Sequence, residues 1–202
     1  MRVKCYLKQL MVPRLLALGN AQLQDYIKYQ ARSMVPALSL IAGLLVAEAL
    51  DEASGQKINA QLKWPNDILL ENKKICGILI ESEIEQDKIE LTIGIGINYS
   101  IQKKESWWGD LGNLGDILPR EKLINIILKK IIAYKEHSYP DWQQAWENRC
   151  MHQNLEINIQ TNSHTQIAGI FRGVDNEGKM LLETINGTQA ISSGECSITG
   201  LY

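Results

Sequence analysis

Three short polar motifs in the middle of this 202-residue chain bring together residue types that do chemistry. The first is Lys-Trp-Pro-Asn-Asp at 63–67, the second runs from the lysine pair at 73–74 to Glu81, and the third is Gly-Ile-Gly-Ile-Asn at 94–98. They supply positive charge, carboxylates, side-chain amides and glycines at which another backbone can approach closely. Each motif alone is ordinary, because Pro-Asn-Asp is a common turn and a lysine pair is common on surfaces. Their order and spacing together are specific.

The elements that must position these motifs are a buried helix and three strands. Residues 37–53 are rich in Ala and Leu and apolar nearly all round, which predicts a buried helix that ends near Gly55. Strands are predicted at 58–64, 75–81 and 89–99, and the last of them alternates apolar residues with a strict period of two. Helical spacing of leucine and isoleucine predicts a second helix at 121–134, and Trp142 and Trp146 indicate a short third one.

The last fifty residues change to short alternating strands separated by turns. The strands are predicted at 155–161, 166–174, 179–184, 189–192 and 196–199, with hairpin turns at 176–178 and 186–187. This pattern favours a small β-barrel that follows an α+β domain. The predicted organisation is therefore an atypical N-terminal segment (1–35), a main α+β domain (36–152) and a small C-terminal domain (153–202).

Composition and charge argue against several classes of protein. The net charge of −2 is uneven, because residues 1–35 hold six basic side chains and one acidic, whereas residues 36–202 hold 15 basic and 22 acidic. The acidic main part argues against a nucleic-acid-binding body, and 6% aromatic residues leave little for stacking on bases. The four cysteines lack metal-ligand spacing, and the longest apolar run, at 38–50, is too short and broken to span a bilayer. We expect a cytoplasmic protein with reduced thiols and no membrane association.

The three motifs resemble the core signature of the biotin–protein ligases. The helix at 38–50 resembles that family's buried helix, and residues 173–195 resemble its C-terminal SH3-like domain, so the resemblance covers roughly residues 36–200. It implies a mixed sheet with packed helices of the class II synthetase-like type, followed by an SH3-like barrel. It also identifies the main domain as a partial biotin–protein ligase catalytic domain.

What the resemblance implies is a ligase that works in two steps. Biotin's carboxylate attacks the α-phosphate of ATP and gives biotinyl-5′-AMP, and a lysine of a biotin carboxyl carrier domain, on an acetyl-CoA carboxylase subunit, then takes the biotin. Lys74 matches the family's lysine and would neutralise the biotin carboxylate and the α-phosphate. Asp67 would hold Mg²⁺ on the phosphates or orient the incoming amine, and the sequence leaves these two roles open.

The resemblance also assigns the neighbouring residues to the two ligands. Asn66, Asn98, Gly94 and Gly96, together with Asp67, would contact ATP or its metal. Biotin would lie against Lys74 and near Gly77. The indole of Trp64 would give biotin a flat wall, although plain packing in the core explains this tryptophan equally well.

The sequence departs from the family's pattern at its N-terminal end. Family members carry a Gly-Arg-Gly-Arg-x-Gly loop upstream of the buried helix, and no such run is present here. We therefore expect a chain that lacks several dozen N-terminal residues of the family, with impaired activity and, since the N-terminal helix-turn-helix is also absent, no specific DNA binding. The alternatives are an inactive pseudoenzyme that binds nucleotide or dimerises, and a relative of the lipoate–protein ligases. A homodimer is left open.

Overall fold

The first sheet of the fold carries all three motifs. The structure is a computed structural model that describes residues 2–8, 21–85, 88–101, 105–112, 119–137, 139–162, 165–193 and 196–199. The strands of the first sheet are β1 (Arg2–Lys8), β2 (Gln61–Lys63), β3 (Asp67–Leu70), β4 (Lys73–Glu85) and β5 (Lys88–Asn98). They are antiparallel and lie in the order β1-β5-β4-β3-β2.

The strands predicted at 58–64, 75–81 and 89–99 are confirmed as β2, β4 and β5, whereas β1 and β3 were not predicted. β3 begins at the last residue of the Pro-Asn-Asp turn and has only four residues, two of them buried. Such a short strand has too few residues for an alternation to be recognised in the sequence. β1 lies within the predicted atypical segment, where only residues 2–8 and 21–35 are described and residues 9–20 lie outside the described part of the chain.

One long helix, α1 (Ala21–Ala53), covers the inner face of this sheet. The predicted helix at 37–53 is confirmed, and the helix extends further toward the N-terminus, through Pro36. Its buried apolar residues pack in one core with Ile78, Ile93 and Ile95 of the sheet. Gly43 faces the sheet, where a Cβ would lie in ordinary contact, 3.7 Å from both Ile78 and Leu62. The described helices include none with the length and hydropathy that crossing a bilayer requires.

The remaining helices lie between the two sheets in the chain. The predicted helix at 121–134 is confirmed as α2 (Arg120–His137), and the two tryptophans lie on the short α3 (Trp142–Glu147). α2 packs on α1, and the Lys122 ammonium donates to the Ala53 carbonyl at the end of α1, at 2.8 Å. A lysine at that place satisfies one of the carbonyls that a helix leaves unpaired at its C-terminus.

The second sheet contains the five predicted C-terminal strands. They are β6 (Glu156–Thr161), β7 (Gln166–Val174), β8 (Met180–Thr184), β9 (Gly187–Ile191) and β10 (Cys196–Thr199). The order is β10-β6-β7-β8-β9, and the described residues show no pairing that closes β10 onto β9. The mixed helix-and-sheet class is thus confirmed, while the SH3-like barrel stays a prediction. Gly194 and Glu195 of the resembling segment lie outside the described residues.

The two sheets share one hydrophobic core through the segment after α3. Residues 149–151 run beside β2, where Leu62 donates to Arg149 and accepts from Met151 at 2.8 and 2.9 Å. The Trp64 indole donates to the Gly178 carbonyl at 3.1 Å. Gly178 has a φ of +79°, and a Cβ there would approach the Ala37 nitrogen of α1 to 2.5 Å, so only glycine fits this contact.

His152 lies at the centre of this junction and is completely buried. Its ring meets Phe171 edge-on with centroids 4.3 Å apart, and neither ring nitrogen has a hydrogen-bond partner among the described residues. Burial, with a smaller contribution from the Lys63 charge, lowers the pKa of His152 from 6.5 to about 3. The folded protein therefore holds this imidazole neutral.

We expect His152 to make the fold sensitive to acid. The unfolded chain binds a proton near pH 6.5, but the folded protein binds it only near pH 3, so stability is lost as the pH falls through this window. The loss is about 1.4 kcal/mol per pH unit, or about 2 kcal/mol at pH 5. Urea unfolding of the parent protein and of His152→Leu at pH 5 and pH 8 measures it. An equal fall in stability for both proteins would show that His152 is not the group that titrates.

Candidate functional site

A β-bulge in β4 determines which way Lys74 points. Ile68 pairs with Cys76 and the next residue, Leu69, pairs with Lys74, so Ile75 is an extra residue in β4. Ile75 and Cys76 are both buried, although neighbours in a regular strand face opposite sides. The extra residue reverses the alternation and brings Lys74 to the same face as Gly77. Bulges that redirect a side chain in this way are common next to active sites.

The Lys74 ammonium lies 2.6 Å from Asp67 Oδ1. The pair lies on the outer face of the sheet, which is the face opposite α1. Asp67 is the first residue of β3 and pairs directly with Gly77. The Lys74 side chain is 30% exposed and the Asp67 side chain 13%, so the lysine is the member of the pair that solvent reaches more easily. A charge pair with one accessible cation can exchange its partner for an anion of a ligand.

Glycines form the floor beside this ion pair. Gly77 pairs with Gly96, and Leu79 pairs with Gly94, on the face that Lys74 shares. A Cβ on Gly77 would lie 3.5 Å from the Lys74 ammonium and 3.6 Å from the Asp67 carboxylate. The sheet is therefore bare where it borders the charges, and a flat molecule can lie against its backbone there.

The segment at 105–110 fixes the other side of Lys74 and was not predicted to belong to the site. Lys74 donates its backbone N–H to Trp107, and Gly109 donates to the Lys74 carbonyl, each at 2.9 Å. The Asn98 amide donates to both the Lys74 and the Gly109 carbonyls, at 3.3 and 3.1 Å. Asn98 thus holds the backbone of the site in place. Two adjacent tryptophans ahead of a glycine are the sequence signal for this segment.

The other predicted ligand contacts divide between this face and the interior. The Asn66 side-chain amide donates to the Ile78 carbonyl at 2.8 Å, and the Asn66 backbone carbonyl accepts from the Ile78 N–H at 2.9 Å, which holds the turn against β4. Trp64 is only 1% exposed, and its position between the sheets favours the alternative of core packing. The structure brings together Asp67, Lys74 and Gly77, with Gly96 adjacent. Asn66 lies in the turn before β3, and Asn98 is the last residue of β5.

The charges of Asp67 and Lys74 affect the pKa values of two buried groups, Lys63 and Cys76. Burial lowers the pKa of Lys63 to about 8, an effect that Asp67 opposes and Lys74 reinforces. Burial raises the pKa of the Cys76 thiol well above its usual range. The described residues hold no group of three His, Cys, Asp or Glu side chains that could bind a metal by themselves.

Two family models match the chain in the order of its two sheets. The model of the Biotin/lipoate A/B protein ligase family matches residues 22–98, and that of the biotin protein ligase C terminal domain matches residues 154–198. The "Bifunctional ligase/repressor BirA" of Bacillus subtilis is 32% identical over 176 residues, which cover 81% of this chain and 53% of that protein. The chain belongs to the biotin protein ligase family.

Other members of the biotin protein ligase family agree in sequence and in fold. The "Biotin--[acetyl-CoA-carboxylase] ligase" of Paracoccus denitrificans is 26% identical over 179 residues, which cover 81% of this chain and 73% of that protein. The biotin protein ligase of Aquifex aeolicus has a solved structure that superposes with a TM-score of 0.70 at 25% identity, over 96% of this chain and 81% of that one. The structure of the same enzyme in complex with biotin and ATP superposes with a TM-score of 0.63 at 27% identity. The match covers 81% of this chain and 71% of that one. The chain spans about half the length of the Bacillus subtilis relative.

We expect Gly109 to be required for the backbone that supports Lys74 in this ligase-family site. A Cβ at Gly109 would lie 2.9 Å from Lys73 Cβ and 3.1 Å from Ile75 Cγ2, whereas a Cβ at Gly96 would meet nothing closer than 3.7 Å. Gly109→Ala should lower the free energy of unfolding by about 1–3 kcal/mol, as overpacking does. Gly96→Ala is the matched control, and its unfolding curve should stay within about 0.5 kcal/mol of the parent. Equal stability of the two variants would contradict the tight packing at Gly109.

Proposed function

We propose that this chain catalyses the ATP-dependent attachment of biotin to a lysine of a carrier protein. The observation that carries the proposal is the Lys74–Asp67 pair at 2.6 Å, which lies beside the bare floor of Gly77 and Gly96. This arrangement provides an accessible cation that two anionic substrates can share. It also provides a carboxylate and an open surface. The Aquifex aeolicus relative, which binds biotin and ATP, supports both ligands.

In the first step, a biotin carboxylate oxygen forms a bond to the α-phosphorus of ATP, and the bond from that phosphorus to the pyrophosphate oxygen breaks. Both reactants are anions, so the step needs positive charge between them. Lys74 can supply it by turning its ammonium from Asp67 toward the ligands, because its side chain is partly exposed. The product is biotinyl-5′-AMP, a mixed anhydride.

In the second step, the amine of the carrier lysine forms an amide with the biotin carbonyl carbon, and AMP leaves. We propose Asp67 as the residue that orients this amine or holds Mg²⁺ during the first step. One carboxylate fits what Mg²⁺ uses when phosphates and water provide its other ligands, and the metal would supply charge on the phosphates. Asn66, Asn98, Gly94 and Gly96 remain the proposed ATP contacts, and Gly77 the proposed biotin contact.

Biotin is a better candidate than lipoate for the transferred group. The family model of the first sheet includes ligases of both kinds, but the model of the second sheet is that of biotin protein ligases alone. The name of the Paracoccus denitrificans relative supports an acetyl-CoA carboxylase subunit as the acceptor. We propose further that the chain acts in the cytoplasm and that its body binds no specific DNA, since residues 36–202 carry 22 acidic and 15 basic side chains.

The direct test is transfer of biotin to a purified carrier domain. The chain is incubated with ATP, Mg²⁺, biotin and the carrier, and biotinylation is detected with streptavidin. Lipoate in place of biotin, and a carrier whose acceptor lysine is replaced by arginine, are the controls. Transfer of lipoate in preference to biotin would overturn the choice of substrate. ATP binding without transfer of either group would favour the inactive binding protein.

We expect Lys74→Met to slow adenylate formation at least tenfold. A charge-assisted contact contributes about 1.5–3 kcal/mol, and this one strengthens as the phosphate accepts the biotin oxygen. Biotin-dependent exchange of pyrophosphate into ATP measures the step. The neighbouring Lys73 is exposed and is the matched control, so Lys73→Met should keep the parent rate. Equal loss in both variants, or in neither, would remove Lys74 from the reaction.

We also expect this 202-residue chain to hold biotinyl-AMP weakly. The family's Gly-Arg-Gly-Arg loop shields the anhydride, and this sequence contains no such run. Loss of two charge-assisted contacts implies roughly 10²–10⁴-fold weaker retention. Isothermal titration with a non-hydrolysable biotinyl-AMP analogue measures it, with the Aquifex aeolicus enzyme beside it as the reference. Equal affinities would contradict the expectation.

A further inference from the structure

We propose that Lys63 is a positioning residue that stays with Asp67 as its counter-ion when Lys74 turns to the substrates. This inference rests on the proposed function for the movement of Lys74, but the pairing of Lys63 with Asp67 rests on strand register and burial. Its consequence is that the Asp67 carboxylate keeps a compensating cation and its place at the moment when its closest cation is shared with a ligand.

The register of β2 and β3 brings Lys63 to Asp67. The two residues are direct partners across the antiparallel pair, so their side chains lie on the same face with Cβ atoms about 4.5–5.5 Å apart. The pairing continues from Asp67 to Gly77 and from Gly77 to Gly96. Lys63 is therefore at the end of the cross-strand row that forms the candidate site.

The burial of the two lysines differs, and this difference separates their roles. Lys63 is 5% exposed, while the Lys74 side chain is 30% exposed. A buried ammonium is retained only where a negative charge compensates for its lost hydration, and Asp67 is the charge that stabilises the protonated form of Lys63. Lys63 cannot turn toward solvent, whereas Lys74 can.

The charges of Lys63, Lys74 and Asp67 fit one fixed lysine and one movable lysine. Two ammonium groups and one carboxylate leave a net charge of about +1, which attracts an anion to the accessible lysine. If Asp67 had Lys74 alone, transfer of that ammonium to a substrate would leave a nearly buried carboxylate without a cation, at a cost of several kcal/mol. The second, fixed lysine removes that cost, because Asp67 is compensated before and after the movement.

A thermal-unfolding cycle without ligands tests the contact. The effect of Lys63→Met on Tm is measured in the parent chain, in Lys74→Met and in Asp67→Asn. The change in Tm on Lys63→Met should become more negative by about 2–4 °C in Lys74→Met, where Lys63 is the remaining counter-ion, and should shrink in Asp67→Asn.

The control is Lys63→Arg, which keeps the charge. It should change Tm by the same amount in the parent and in Lys74→Met. If Lys63→Met does not fold, Lys63→Gln, which also removes the charge, replaces it with the same expected pattern. Equal costs of Lys63→Met in all three backgrounds, or a larger cost of Lys63→Arg in Lys74→Met than in the parent, would overturn the proposal.

Activity tests the role in catalysis. Lys63→Met should slow biotin-dependent pyrophosphate exchange about tenfold, whereas in Asp67→Asn the same change should alter the rate less than twofold, since Lys63 acts through Asp67. Equal slowing in both backgrounds would show that Lys63 acts on its own and would overturn the positioning role. A parent chain with no exchange would overturn the proposed function and the catalytic role, while the unfolding cycle would still decide the contact.

Discussion

The β-bulge at Ile75 is the constraint on which the candidate site depends. If Ile75 were a regular strand residue rather than a bulge, the Lys74 and Cys76 side chains would share a face, and Cys76 is buried in the core. A lysine on that face would lie under α1 without compensation, at a large desolvation cost. The bulge moves it to the outer face beside Asp67, and backbone bonds from the 105–110 segment hold it there.

The same face shows how a charged site can be built on an open sheet. One cation is accessible, a second is buried, and the carboxylate between them is fixed at the start of a strand. Glycines leave the adjacent backbone uncovered, so the charges border a flat surface rather than a closed cavity. This arrangement suits substrates that bring a carboxylate and a phosphate to the same point.

The second sheet supports the site through its packing against the end of β2. The Trp64 indole spans from the end of β2 to Gly178, and residues 149–151 extend the first sheet beside β2. These contacts fix the turn from which Asn66 and Asp67 project. His152 is buried among the aromatic rings at the same junction. These contacts are most stable while its imidazole is neutral.

By itself the sequence determined the elements with strong periodicity and the motifs of the site. The alternation in β5, the helical spacing of α2 and the turns of the second sheet each follow from local preference, so they were predicted within a few residues. The strands β1 and β3, the continuation of α1 through Pro36 and the role of the 105–110 segment were not. Local sequence is too short or too ambiguous at these places, and pairing partners decide the outcome.

Tertiary structure alone decided which side chains of the motifs meet. The sequence put Asp67, Lys74 and Gly77 within eleven residues but gave no sign of the bulge, because an extra residue in a strand is visible only against its partner. It also gave no sign that Lys63 is buried while Lys74 is partly exposed. Burial separates them, and the burial of each side chain is decided by the packing of the whole sheet rather than by local sequence.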